Sequence, residues 1–289
     1  MTDSTPHALF VPETLEGWSL LHQFFRVDWS AVAGASDHDR RHIAEELSAW
    51  LANWSGSDQG SSVPVAMLGH KADLMLVHAR RSFDDLLQAQ LDVSRLGVAG
   101  LLEAPTSYVS VVELGMYDMT AKIHEQLLAQ GHQPGTDEYA DAKAGLMRAQ
   151  AGRVSGRLFT PFPRRRYVCF YPMDKRRGEV KNWYRVPFEQ RTLMMRDHGT
   201  IGRNYTGTVT QIISGSIGFD DWEWGVDLFA DDPVVFKKLI YEMRFDEASA
   251  EYGEFGPFYV GMQFAASEVG TWLEGRVPLL DAPAPTPET

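Results

Sequence analysis

The residues most able to do chemistry in this chain lie close together in its second half. The run Tyr171-Pro172-Met173-Asp174-Lys175 is followed by His198 and then by Gln211. A phenol that can lose an electron, a cation and a single imidazole therefore share one short stretch with apolar, strand-like neighbours. This combination suits a buried porphyrin site, because iron needs a protein ligand and the porphyrin carboxylates need cations.

His198 has two possible roles. It follows an amphipathic segment and precedes Gly199, a pattern that predicts a helix over Pro187–Asp197 that ends just before the glycine. An imidazole at a helix end is commonly stabilised there by the helix dipole, and this structural role is the more frequent one for a single histidine. The alternative is an axial ligand to iron. The residues alone leave both roles open.

Tyr171 also has a structural and a chemical interpretation. It lies near the end of a predicted strand over Arg165–Met173, on the same face as Tyr167 and Cys169. A buried tyrosine with a hydrogen-bonded hydroxyl is the more frequent case. A tyrosine beside an oxidisable metal centre can instead lose an electron and a proton and act as a radical relay.

Cations cluster at both ends of the same predicted strand. Lys175 follows Pro172, which is expected to end regular pairing, so a solvated loop lysine is the more frequent reading of this residue. However, Arg164-Arg165-Arg166 and Lys175-Arg176-Arg177 bracket the strand. An acidic chain that concentrates cations in one place is expected to bind an anion there, such as a carboxylate or a phosphate.

Gln211 lies in a predicted strand over Tyr205–Ser214, on a face with Val209 and Ile213. A buried amide on an apolar face must find hydrogen-bond partners, so Gln211 is either a structural amide or a donor in a pocket. Arg157 and Ser249 carry no signal of their own.

Composition narrows the class of protein. The chain has 289 residues, of which 44% are hydrophobic and 23% charged, enough for one large core or two small ones. The net charge of -12 argues against a nucleic-acid or anionic-membrane partner. Cys169 is the single cysteine, which excludes an intrachain disulfide and fits the cytoplasm. Residues 1–12 lack signal-peptide features, and no apolar run is long enough to cross a membrane.

The two halves of the chain repeat one order of predicted elements. In the first half the predicted strands are Trp18–Trp29, Val63–Gly69, Asp73–His78 and Tyr108–Tyr117, and the predicted helices are Asp37–Trp54 and Ser82–Ser94. In the second half the strands are Arg165–Met173, Tyr205–Ser214, Glu223–Ala230 and Gly256–Phe264, and the helices are Pro187–Asp197 and Asp232–Met243. Strand-helix-strand-strand-helix-strand is the order of the ferredoxin-like unit, so an α+β fold with two such repeats is expected.

This repeat predicts a division into domains. Residues 1–130 are expected to form an N-terminal ferredoxin-like scaffold, and residues 131–160 a connecting helix and linker. Residues 161–270 are expected to form the C-terminal ferredoxin-like unit that binds the porphyrin. Residues 271–289, which end in alternating proline and small residues, are expected to be disordered.

The second half resembles a known family. The segments YPMDKRR, NWY, HGTIGRNYTG, ISGSIGFDDWEWGVDLF and FKKLIYEMRFDEASA, between residues 171 and 261, closely resemble the chlorite dismutase-like haem proteins. Within that family the likeness is to the coproheme decarboxylase branch in its Firmicutes-type form, and it is strong over residues 100–264.

The resemblance implies specific roles. His198 matches the proximal iron ligand, Tyr171 the tyrosine that becomes a radical, and Gln211 the distal amide. Residues that match family positions on the porphyrin or its propionates are Arg157, Pro172, Met173, Asp174, Lys175 and Ser249. The family fold is the dimeric α+β barrel with two ferredoxin-like repeats per chain, and its members are typically homopentamers.

The resemblance also implies a reaction. Hydrogen peroxide would oxidise iron coproporphyrin III (coproheme), and two propionates would each lose carbon dioxide to become vinyl groups, giving haem b. The tetrapyrrole would be both substrate and redox centre, and the partners would be coproheme, peroxide and further copies of the chain.

Two alternatives remain. Chlorite dismutase has the same fold, but its pattern has a distal arginine where this chain has Gln211, and a neutral amide holds an anionic intermediate poorly. A non-catalytic haem-binding carrier or sensor is the second alternative.

Overall fold

The computed structural model describes residues 11–56 and 58–281. The expectation for the first residues of the chain, and that of disorder over residues 282–289, fall outside them. The strands are β1 (Thr14–Val27), β2 (Gly60–Met67), β3 (Leu74–Arg80), β4 (Leu102–Gly115), β5 (Tyr167–Lys175), β6 (Thr210–Gly215), β7 (Trp224–Ala230), β8 (Gly253–Phe255) and β9 (Tyr259–Gln263). The helices are α1 (Trp29–Gly34), α2 (Asp37–Asn53), α3 (Phe83–Arg95), α4 (Tyr117–Ala129), α5 (Asp137–Leu158), α6 (Phe188–Asn204), α7 (Val234–Met243), α8 (Glu247–Ala250) and α9 (Val269–Leu273).

Eight of these strands form a closed antiparallel sheet. Their order is β7-β6-β4-β1-β3-β2-β9-β5, and β5 also pairs with β7, so the two ends of the sheet meet. The short β8 pairs with β5 outside this ring. Closure removes the open edges that a flat sheet would leave unpaired.

Both halves of the chain show the same strand order. The first half is ordered β4-β1-β3-β2 and the second β9-β5-β7-β6, each of which is the order of a ferredoxin-like unit. The halves meet where β2 pairs with β9 and where β4 pairs with β6. The α+β class predicted from the sequence is confirmed, whereas the division near residue 130 stays a prediction.

Side chains alternate between the barrel interior and its outer face. On β5, Val168 and Phe170 lie in the interior cluster, which draws residues from most of the ring strands. Cys169 and Tyr171 point outward and pack under α7. This is the alternation that the sequence predicts, and it fixes which β5 side chains can meet the helices.

Helices α2, α3 and α5 begin with side-chain capping bonds, and the predicted starts of α2 and α3 are confirmed to within one residue. The Ser36 hydroxyl accepts from the Asp39 amide at 3.1 Å, and Ser82 and Thr136 make the same contact at the starts of α3 and α5. Each cap satisfies an amide that the first helical turn leaves without a partner.

The predicted end of the helix before Gly199 is wrong. Helix α6 continues through Gly199 to Asn204, so His198 lies inside a helix rather than at its end. Ile201 and the following Tyr205 pack against the outer sheet cluster. This packing outweighs the cost of about 1 kcal/mol that a glycine carries inside a helix.

Three other boundaries differ from prediction. Pro172 does not end the pairing of β5, because β7 remains opposite it and pairs onward to Met173. Tyr117 begins α4, a helix that the sequence analysis did not identify. The tail predicted to be disordered from residue 271 includes the end of α9, where Trp272 and Leu273 are buried against the first-half helices.

None of the helices in the described part of the chain is both long and apolar enough to span a lipid bilayer.

Candidate functional site

The outer face of the second half is only partly covered by helices. Along β6 the outward residues become steadily more accessible: Val209, just before the strand, is buried, Gln211 is half-buried and Ile213 is 41% exposed. Met173 on β5 and Trp224 on β7 are half-buried on the same face. We call Met173, Gln211, Ile213 and Trp224 the exposed sheet face.

Strand register places Tyr171 beside this exposed sheet face. Ile213 pairs with Val226, and Val226 pairs with Tyr171, so the three form one row across β6, β7 and β5. Gln211 lies in the adjacent row, opposite Leu228. Two strand spacings separate Tyr171 from the β6 residues, a distance of about 10 Å.

His198 lies on the side of α6 that faces the sheet. Ile201 and Tyr205, three and seven residues further on, share its side of the helix and pack in the outer sheet cluster. From Tyr205 back to His198 the helix rises about 10 Å, while from Val209 to Ile213 the strand advances about 13 Å. Because the chain reverses between α6 and β6, we infer that His198 lies on the side of the sheet that bears the exposed sheet face.

One nitrogen of His198 is held by a carboxylate. Its Nδ1 lies 3.0 Å from Asp246 Oδ2, and the Ser249 hydroxyl donates to the same oxygen at 3.0 Å. The Ser249 amide donates to Asp246 Oδ1 at 3.0 Å. With the Nδ1 proton directed at Asp246, the lone pair of Nε2 is available to a metal.

The pKa of Asp246 is set by opposing effects. Burial raises it, but the hydrogen bonds from His198 and Ser249, together with the charge of His198, bring it below its usual value. Asp246 is therefore an anion at neutral pH, and an anion at this position makes the His198 imidazole a stronger electron donor.

Tyr171 is surrounded by aromatic rings and one cation. It is 4% exposed and stacks on Phe258 with 4.6 Å between ring centres, and its ring lies 5.9 Å from that of Phe255. The Arg244 guanidinium lies 4.8 Å above the Phe255 ring and forms no ion pair with the described residues. Burial raises the pKa of the Tyr171 phenol, a neighbouring Cys169 adds to the rise and Arg244 opposes it, so the phenol keeps its proton.

Lys175 is a buried strand residue rather than a loop residue. It is 7% exposed, and its Nζ donates to the Ala248 carbonyl at 2.8 Å and lies 4.6 Å from the Trp183 ring centre. Burial lowers the pKa of Lys175 to about 8, although Asp246 and Glu223 act to raise it. The charge of Lys175 can thus change near neutral pH, close to the carboxylate that holds His198.

The remaining residues of the run have mixed surroundings. Pro172 is buried, its carbonyl accepts from the Gly256 amide at 2.9 Å, and Met173 is half-buried on the exposed sheet face. Asp174 is turned to the opposite side of β5, where it accepts from the Glu223 amide at 2.7 Å. The run therefore does not present one continuous surface.

Arg157 stands apart from the other predicted site residues. It lies in the last turn of α5 and is exposed, and none of its contacts in the described chain reaches His198, Tyr171 or Lys175. Ser249, by contrast, is within 3.4 Å of His198 Nδ1, with its hydroxyl committed to Asp246.

The basic cluster is neutralised by carboxylates of the same chain. Arg165 pairs with Asp231, and similar pairs hold most of the other cations at either end of β5. These pairs are Arg164–Asp281, Arg176–Glu254, Arg177–Glu223 and Lys181–Glu251. The cluster as a whole is thus not a preformed anion site. Among the described residues, Arg244 near Tyr171 and Lys175 near His198 lack a carboxylate within ion-pair distance.

A cleft of about 490 Å³ opens between α6, α7 and α8. Its walls include Asp197, Glu242 and Glu247, so a ligand that carries several carboxylates would be repelled there. The side chains of Met173, Gln211, Ile213 and Trp224 carry no charge, so the exposed sheet face is the better candidate for an anionic ligand.

The sequence analysis missed Asp246 and Arg244. Asp246 and His198 are 48 residues apart, and only the packing of α8 on α6 brings them together. A local signal for Asp246 did exist, because aspartate is one of the residues preferred at a helix N-cap, which is its position before α8.

Comparisons with known proteins identify relatives of this chain. The family model described as chlorite dismutase matches residues 40–264. A coproheme decarboxylase of Staphylococcus saprophyticus is 42% identical over 253 residues, which cover 86% of this chain and 93% of that protein. A protein of Haloquadratum walsbyi whose name proposes haem binding is 42% identical over 96% of this chain, and this chain spans about half the length of that relative.

Solved structures show the same fold. A structure described as a haem-binding protein from Thermus thermophilus is 41% identical, with a TM-score of 0.77 over 91% of this chain and 99% of that one. A mutant chlorite dismutase from Candidatus Nitrospira defluvii is 18% identical, with a TM-score of 0.66 over 90% of this chain and 96% of that one. Given this shared fold and a family match that covers most of its length, the chain belongs to the chlorite dismutase family.

Proposed function

We propose that this chain converts iron coproporphyrin III to haem b by peroxide-dependent oxidative decarboxylation of two propionates. The observation that carries the proposal is the 3.0 Å contact of His198 Nδ1 with Asp246, which leaves Nε2 for a metal, on a helix that packs on the same outer face of the sheet as Tyr171 and Gln211. The 42% identity to a coproheme decarboxylase supports it.

His198 would bind the iron of the substrate through Nε2, and Asp246 would keep the imidazole oriented and electron-rich. Gln211, on the sheet opposite α6, would face the other side of the iron, where the neutral amide can donate a hydrogen bond without adding charge. Hydrogen peroxide would react at the iron of the bound substrate and would supply the two oxidising equivalents that each round consumes.

Tyr171 would deliver oxidising power to the propionate. Its phenol gives up one electron and one proton, and the resulting radical removes a hydrogen atom from the β-carbon of the side chain. In each round one propionate, one peroxide and one proton yield a vinyl group, carbon dioxide and two waters. Burial supports this role, because it keeps the phenol protonated and excludes competing water.

Cationic and polar side chains would hold the propionates. Lys175 and Arg244 are suited to this by their charge and by the absence of a carboxylate in ion-pair contact within the described chain, and Arg157 and Ser249 match family positions for propionates. Pro172, Met173 and Asp174 would line the porphyrin on this proposal. A cytoplasmic location and assembly of five copies are further parts of it that rest on the family resemblance.

The test is to incubate the purified protein with iron coproporphyrin III and hydrogen peroxide and to weigh the tetrapyrrole by mass spectrometry. Two successive losses, each of one carbon dioxide and two hydrogens, are expected. Tyr171→Phe should still bind the substrate but lose product formation by about 100-fold or more, because the ring remains and the phenolic hydrogen does not. Near-normal haem b formation by this variant would rule out the radical role of Tyr171.

A haem carrier is the second candidate, because several relatives are named only for haem binding. An unchanged tetrapyrrole mass after incubation with peroxide would favour that function. Rapid and sustained oxygen release from chlorite by the haem-loaded protein would instead favour chlorite dismutase activity.

A further inference from the structure

A carboxyl group lies at the side of the exposed sheet face that is farthest from Tyr171. Glu113 on β4 follows Val112, which pairs with Ser214, so it lies beside Ile213 on the outer face. Three strand spacings, or about 14 Å, separate it from Tyr171 along the same row of the sheet. Glu113 and Tyr171 thus border the exposed sheet face from opposite sides.

Two neighbours fix the Glu113 carboxyl in place. The Trp224 indole donates to its Oε1 at 2.8 Å, and Trp224 itself belongs to the exposed sheet face. The other oxygen, Oε2, lies over Gly215 and accepts no hydrogen bond from the described residues. A Cβ at position 215 would overlap this oxygen, so the absence of a side chain there is what makes room for the carboxyl group.

The groups that face Glu113 favour its neutral form. Burial raises the pKa of Glu113, the hydrogen bond from Trp224 lowers it, and Glu16, directly opposite on β1, raises it again, with a net rise. The nearest titratable group on α4 is Tyr117, which is neutral at physiological pH because burial raises its pKa further. An additional carboxylate brought close to Glu113 would raise its pKa still more, because two neighbouring carboxylates tend to share one proton.

We propose that Glu113 recognises a carboxylate on the edge of the bound tetrapyrrole that lies farthest from Tyr171, through a hydrogen bond in which the two carboxyl groups share one proton. This rests on the proposed function, since it assumes that the exposed sheet face holds a tetrapyrrole with carboxylates on opposite edges. Iron coproporphyrin III has a propionate on each of its four pyrrole rings, and haem b retains only two.

The experiment measures proton uptake when metal-free coproporphyrin III binds, by calorimetry in buffers of different ionisation enthalpy. Metal-free ligand is used because it allows neither iron ligation by His198 nor turnover. We expect the wild-type protein to take up about one proton more than Glu113→Gln near neutral pH. Since His198 and Lys175 are common to both proteins, their contributions cancel in the difference.

Affinity gives a second readout of the same contact. The Gln side chain keeps the acceptor for Trp224 and donates a hydrogen bond at any pH, so Glu113→Gln should bind metal-free coproporphyrin III about tenfold more tightly than wild type at pH 8. The advantage should shrink as the pH falls and Glu113 becomes protonated. Glu16→Gln should move this pH dependence to lower pH, because it removes the charge opposite Glu113.

Glu103→Gln is the matched control, because Glu103 is exposed on the same strand opposite Arg26, and wild-type values are expected for it. Equal proton uptake and equal affinity for wild type and Glu113→Gln would overturn this inference alone. Failure of both proteins to bind iron coproporphyrin III in an optical titration would overturn the proposed function and this inference with it.

Discussion

The two halves of the barrel have the same strand order but treat their outer faces differently. In the first half, α2, α3 and α9 cover the sheet, and every residue of β3 is buried. In the second half, α6 and α7 leave Gln211, Ile213 and Trp224 accessible. A ligand site can therefore arise from an ordinary folding unit when one part of a helix layer fails to cover the sheet.

The two histidines on these outer faces show the same contrast. His78 in the first half is fully buried, with Nδ1 2.8 Å from the Ser62 hydroxyl and Nε2 3.0 Å from Gln23 Oε1. Burial lowers the pKa of His78 to about 3, and the charges of Arg80 and His22 add to this effect. Both nitrogens of His78 are occupied, so it is a neutral structural residue, whereas none of the described residues is hydrogen-bonded to Nε2 of His198.

Replacing each histidine by alanine should separate these roles. Loss of a residue that supports a metal ligand typically weakens metal binding by roughly 10- to 100-fold. Because His198 would be the ligand itself, His198→Ala should weaken binding of iron coproporphyrin III by more than this and should shift the Soret band. His78→Ala should leave the band unchanged and lower the free energy of unfolding by about 2–3 kcal/mol, because Ser62 and Gln23 lose buried partners. Optical titration and urea unfolding measure the two effects, and a Soret shift in His78→Ala would break the comparison.

Replacing Asp246 tests the difference between His198 and His78 further, because no carboxylate of the described chain holds His78. Asp246→Asn keeps the shape of the side chain and removes its charge, so we expect iron coproporphyrin affinity to fall by about 10- to 100-fold. In the wild type, the contact between His198 and Asp246 should remain at pH values below the usual pKa of an aspartate. It should be lost as the pH falls through the lowered pKa of Asp246.

The control for this variant is Asp231→Asn, which removes a carboxylate paired with Arg165 just beyond the end of β7. It should bind the iron porphyrin as the wild type does. Equal affinities for Asp246→Asn and wild type would mean that Asp246 has no part in tuning the imidazole.

The sequence predicts the elements of both halves better than it predicts the contacts between them. Capping residues such as Ser36 and Ser82 act over one helical turn, so their signals are local, and the predicted starts of α2 and α3 are confirmed. The predicted end of α6 was wrong because Ile201 packs on a sheet that is formed by residues distant in sequence. Local propensity at Gly199 cannot register such a contact.

The same limit applies to the site. Alternation along β5 correctly put Tyr171 and Cys169 on one face, because a strand has a fixed period of two. The burial of Lys175 was not predicted, since it depends on Ala248 and Trp183, which come from two other elements. The cations at the ends of β5 were expected to bind an anion, but carboxylates elsewhere in the chain pair with most of them.

Each half also buries a cation, and the pH dependence that a buried cation gives to the free energy of unfolding is the smallest effect we expect. Arg80 in the first half remains charged, as a guanidinium does, over the Trp54 ring at 3.7 Å. Lys175 in the second half has a pKa of about 8 in the folded protein, against 10.5 as its ordinary value. The unfolded chain binds the Lys175 proton more tightly, so the free energy of unfolding should rise as the pH increases from about 8 to 10.5, by up to about 3 kcal/mol.

Lys175→Met should lack this rise, and Lys181→Met, at an exposed lysine paired with Glu251, should keep it. Urea unfolding at pH 8 and pH 10.5 decides the matter, and parallel curves for wild type and Lys175→Met would show that the Lys175 ammonium is as well solvated as one at the surface.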